Sequence, residues 1–89
     1  MGTVTIHETK YLTFASEKIE GRKTKIIHVI NKCNTHRLAT IEWYGNWRQY
    51  CFMPNLEFYT VWNNTCLNDI IFVINKLMKE REIDKPKGE

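Results

Sequence analysis

At 89 residues, with 43% hydrophobic and 26% charged positions, the chain has the composition of one small globular domain and neither that of a disordered polymer nor that of a membrane-embedded one. A domain of this length buries only about 60–65% of the surface its unfolded chain exposes, so its core is thin. The formal charge of +3 is low for a nucleic-acid binder and no RNA-binding signature is present, so nucleic acid is not an expected partner.

The opening segments, residues 4–6 and 11–15, are rich in Thr, β-branched and aromatic residues and read as one strand bent between Glu8 and Lys10. Gly21 marks the next turn, with Lys18, Arg22, Lys23 and Lys25 clustered around it. These cations are read first as solvated turn residues and second as a positive rim that guides an anion. Residues 25–31, 38–44 and 47–53 read as three further strands. Pro54 and Asn55 end the last of them, because proline has no amide hydrogen for a ladder. Residues 57–62 are either a short fifth strand or an extended lead into a helix.

Between residues 43 and 52 the chain carries five aromatic side chains around a Gly45-Asn46 break, which signals a hairpin with a two-residue turn. That turn would set Tyr44 opposite Trp47, Trp43 opposite Arg48, Glu42 opposite Gln49 and Ile41 opposite Tyr50. Side chains alternate along a strand. One face therefore holds Ala39, Ile41, Trp43, Tyr50 and Phe52, while the other holds Thr40, Glu42, Tyr44, Trp47, Gln49 and Cys51.

A helix is expected over residues 65–82, roughly 27 Å long at 1.5 Å per residue, with Asn64 or Thr65 as its cap and Asp69 near its positive end. Leu67, Ile70, Ile71, Ile74, Leu77 and Met78 recur at spacings of three and four and form its apolar stripe. Lys76, Lys79 and Arg81 lie toward its carboxyl end. The expected fold is α+β: an antiparallel sheet of four to five strands followed by one C-terminal helix packed on one face. Residues 1–84 would form this single domain and 85–89 a mobile tail.

One helix covers one face of a sheet, yet Ile26, His28 and Ile30 alternate with Ile27 and Val29, so both faces of that strand are apolar. Phe72 points away from the stripe with no evident partner. Both features point to self-association, and a homo-oligomer is expected.

The longest apolar run, Ile70-Ile71-Phe72-Val73-Ile74, is far shorter than the roughly 20 residues that cross a bilayer. No secretory signal opens the chain, and Ile6 stands where a myristoylation motif wants Ser or Thr. Three cysteines, an odd number, fit a reducing compartment better than a disulfide scaffold. A cytoplasmic protein without membrane contact is expected.

The run Trp43, Tyr44, Gly45, Trp47, Arg48, Gln49, Tyr50, Cys51, Phe52 and Pro54, followed by Cys66, Leu67, Asp69 and Ile70, resembles a group of small, mostly uncharacterised proteins encoded by bacteriophages and related mobile elements. The resemblance covers roughly residues 24–80. It implies a viral origin and, by analogy with other small phage proteins, inhibition of host defence as an anti-CBASS-like sponge that sequesters a cyclic nucleotide in the host cell cytoplasm. Trp47 and Tyr44 offer stacking faces for a purine, Arg48 or Arg37 offers paired donors for a phosphate, and Gln49 or Asn46 could read a base edge. The alternatives are an inhibitor that presents the same hairpin to a host protein and, less favoured, a nucleic-acid-binding accessory protein.

An enzyme is not expected. There is no Gly-rich phosphate loop and no His-Glu-x-x-His, and the carboxylates are scattered. Cys51 with His28 or His7 is not a dyad on sequence grounds. Cys33, His36, Cys51 and Cys66 would suit zinc in number, but only one pair has ligand-like spacing. No metal and no cofactor are therefore expected.

Overall fold

The structure is a computed structural model that describes residues 3–57 and 59–84, the last three as backbone only. Five strands, β1 (Val4–Glu8), β2 (Leu12–Lys18), β3 (Lys25–Asn31), β4 (Arg37–Tyr44) and β5 (Gln49–Pro54), precede one helix, α1 (Asn64–Asp84). The strands lie in chain order in a single sheet and every neighbouring pair is antiparallel. The α+β architecture is thus the one the patterning predicts.

The opening segment differs from the expected bent strand: it is a hairpin, with β1 paired to β2. Thr9 closes it, its amide donating to the Leu12 carbonyl at 2.8 Å and its hydroxyl oxygen accepting the Leu12 amide at 3.1 Å. A threonine that bonds its own backbone neighbours makes a turn without Gly or Pro, so composition alone does not announce it. The fifth strand therefore comes from the start of the chain. Residues 59–63 carry no strand and lead into the helix.

Gly21 does form the next turn. Its φ of +86° at the third turn position, with the Arg22 amide donating to the Ile19 carbonyl at 3.1 Å, has type II geometry. Pro54 pairs with Ala39 at the end of β5. Because β5 is an edge strand, its missing amide costs no internal ladder bond.

The core fills the space between α1 and one sheet face, where Phe14, Ile27, Val29 and Ile41 of the sheet meet Ile70, Val73 and Leu77 of the helix. Burial of each large side chain contributes about 1.5–3 kcal/mol. The helix begins one residue earlier than expected because Asn63 is its cap: the side-chain oxygen accepts the Cys66 amide at 2.9 Å. Asn64 and Thr65 lie inside the first turn, which holds no acidic residue, and Asp69 comes a turn later.

The buried stripe is also rotated from the expected one. Val73 is fully buried, whereas Leu67 and Ile71 are 40% and 53% exposed. Distant strands set the rotation: the Arg81 guanidinium lies 4.9 Å from the Trp43 ring, the Met78 sulfur accepts the Tyr50 amide at 3.4 Å, and Phe72 stacks on His7 at 4.9 Å. Phe72 thus has a partner on β1. The expected tail, residues 85–89, lies outside the described residues.

Candidate functional site

The chain reverses between β4 and β5 through four residues rather than two. The Trp47 amide donates to the Tyr44 carbonyl and the Arg48 amide to the Gly45 carbonyl, both at 3.2 Å. The positive φ, 53°, falls on Arg48 and not on Gly45. A tight turn closed by one left-handed residue is a common four-residue loop.

The longer loop slips the expected register by two. Tyr44 pairs with Gln49, Trp43 with Tyr50, Glu42 with Cys51 and Ile41 with Phe52. A slip of two leaves every side chain on the face its parity assigns, so Trp43, Tyr50 and Phe52 still face the helix. Trp47, expected on the polar sheet face, instead leaves the sheet and sits in the loop.

At this tip the rings of Tyr44 and Trp47 meet edge to face at 5.1 Å and 81°, a geometry aromatic quadrupoles favour. Asn46 donates through Nδ2 to the Tyr44 hydroxyl at 3.1 Å, which holds the phenol and the loop together. Trp47 is 67% exposed, and Asn46, Arg48 and Gln49 are exposed beside it. Arg48, expected opposite Trp43, lies in the loop instead, and the Trp43 ring is covered by Arg81.

Five of the six candidate binding residues therefore come together. Arg37 does not, because it opens β4 while Tyr44 closes it, about 23 Å away at roughly 3.3 Å per residue. Arg37 lines instead an open groove of about 370 Å³ on the sheet face away from the helix, together with Glu17, His28, Glu42, Met53 and Leu56.

His28 Nε2 lies 2.8 Å from Glu17 in that groove, and the Thr40 hydroxyl donates to Glu42 at 2.9 Å. The buried Nδ1 of His28 has no hydrogen-bond partner among the described residues. Spacing alone does not bring these side chains to notice. The signal that found their surface was the two-sided apolar pattern of β3.

The remaining histidine and cysteine candidates are apart. His7 stacks between Phe14 and Phe72, Cys51 contacts the Gln49 carbonyl, and among the described residues no three His, Cys, Asp or Glu side chains gather as a metal site requires.

The chain is 39% identical over 79 residues to the "Uncharacterized 9.3 kDa protein" of Acholeplasma phage L2, a match spanning 86% of this chain and 96% of the relative. It belongs to the family of that phage protein. No described family and no solved structure matches the chain. Within the described residues of this phage-family protein, no helix is long and apolar enough to cross a membrane.

Proposed function

We propose that this phage-encoded protein acts by binding and not by catalysis, as an inhibitor that presents its β4–β5 tip to a host protein. The observation that carries this reading is the exposed Trp47, held against Tyr44 and flanked by Arg48. Trp, Tyr and Arg are the residue types that dominate binding energy at protein interfaces. An indole fixed by a neighbouring ring loses little conformational freedom on docking. The tip is a loop projecting from the end of the sheet, and none of its residues lines the groove, which suits insertion into a partner's pocket.

Sequestration of a cyclic nucleotide is the second reading, favoured by one feature: the Trp47 ring and the Arg48 cation share a four-residue loop, where a base could stack and a phosphate be held. Arg37 is too distant to join that site, and the groove it lines carries Glu17 and Glu42, which repel phosphate.

Alanine variants separate the two. Trp47→Ala is expected to weaken capture of a host protein at least about thirtyfold, the effect of a 2 kcal/mol hot spot, in a binding assay with the isolated partner. A nucleotide at about 100 times its Kd adds roughly 2.7 kcal/mol of stability, so melting the wild type against cyclic di- and trinucleotides would raise Tm by more than about 10 °C if the second reading holds.

A further inference from the structure

The sheet face away from α1 is covered by no element among the described residues, yet it is neither polar throughout nor featureless. Ile26, Ile30, Cys51 and Met53 are half-buried there, and Leu56 of the β5–α1 linker, which lines the groove on this face, is 95% exposed. Single exposed apolar residues are ordinary, but a sheet face and an adjoining linker that expose several together mark a contact surface.

The charges on this face say what the contact is. Arg37 stands at one end of the groove and Glu42 toward the other, both on β4, about 16 Å apart at roughly 3.3 Å per residue. A two-fold axis lying in the plane of the face and crossing the strands near Thr40 reverses β4 onto itself. It brings Arg37 of one copy over the partner's Glu42 and, by symmetry, Glu42 over the partner's Arg37. The same operation carries Leu56 of each copy, just beyond the end of β5, over the opposite end of the partner's β5. An isologous interface must be self-complementary in this way.

We propose that the protein forms a two-fold dimer through its open sheet faces, with two reciprocal Arg37–Glu42 ion pairs, Met53 beside the axis against the partner's Met53, and Ile26 of each copy over the partner's Ile30. The pairing leaves the β4–β5 tips free at the ends of the sheets, so the dimer presents two of them.

Light scattering coupled to gel filtration tests this at micromolar protein. Wild type is expected at twice the 10.7 kDa chain mass. Arg37→Glu and Glu42→Arg are each expected to be monomers, because each sets like charges opposite one another twice. Mixing the two variants is expected to restore a dimer, since every cross-pair is then complementary. Met53→Glu, beside the axis, is expected to be monomeric by itself and in mixture with either charge variant, and circular dichroism identifies any variant that fails to fold. A monomeric wild type would overturn the proposal. So would a dimer that survives Met53→Glu, or folded charge variants that do not recombine when mixed.

Discussion

Among the described residues, two other than glycine hold a positive φ, Thr35 at 60° and Arg48 at 53°. Thr35 closes the β3–β4 loop, where its amide donates to the Asn31 carbonyl at 2.8 Å. A left-handed conformation costs a side chain with a β-carbon about 1–2 kcal/mol, and a β-branched one is crowded there most. Thr35→Gly is therefore expected to stabilise the fold by about 0.5–1 kcal/mol after glycine's own entropy is deducted, measured as a shift in urea midpoint. Gly45 presents the opposite case. Its φ is not positive and a β-carbon there would meet no atom within 4 Å, so Gly45→Ala should raise stability by about 0.4–1 kcal/mol. A loss of stability at either position would show that the loop adopts another conformation. The β4–β5 turn was legible as a turn because of Gly45 and Asn46, but its length was not. The residue that bears the left-handed conformation is an arginine, whose identity carries no such message. Parity survived the two-residue slip, which is why the division of side chains between core and open face was readable while their pairing partners were not.

The helix shows the same limit one level up. Apolar residues at three and four spacing establish that α1 exists and is amphipathic, but Leu67, Ile71 and Val73 allow more than one rotation about its axis. Contacts to residues far along the chain choose among them, chiefly Arg81 on Trp43 and Met78 under the Tyr50 amide. Ile70 sits at 3% exposure in the resulting core, so Ile70→Ala should cost about 2–5 kcal/mol, whereas Ile71→Ala, on the exposed side, should cost under about 1 kcal/mol. Equal losses would place the stripe where periodicity alone suggests. At the helix start Asn63→Ala removes the oxygen that accepts the Cys66 amide and should cost about 0.5–2 kcal/mol, while Asn64→Ala should be nearly neutral or stabilising. Thermal melting of the two variants side by side decides between the caps. Tyr50 links this helix to β3 as well, its hydroxyl accepting the Lys25 amide at 3.2 Å.

At the scale of the molecule, the one helix and five strands of the described residues leave a small domain with a single covered face. The α+β class and the uncovered second face were both legible from strand patterning, since Ile26, His28 and Ile30 alternate with Ile27 and Val29. The first hairpin was not, because Thr9 makes it by a side-chain bond. The site was legible only in part. Tyr44, Asn46, Trp47, Arg48 and Gln49 are adjacent in sequence and stay adjacent in space, while Arg37 separates from them because strand length, unlike loop proximity, puts distance between its ends. That separation puts Arg37 on the open face and leaves Arg48 at the tip without it, and on our proposal the tip meets a protein partner. The measurement that bears most directly on this is quantitative capture from host-cell extract on immobilised wild type, Trp47→Ala and the tip-distant control Ile71→Ala. If the tip is the contact surface, one host protein is retained equally by wild type and Ile71→Ala and falls at least tenfold on Trp47→Ala; equal retention by all three would contradict it.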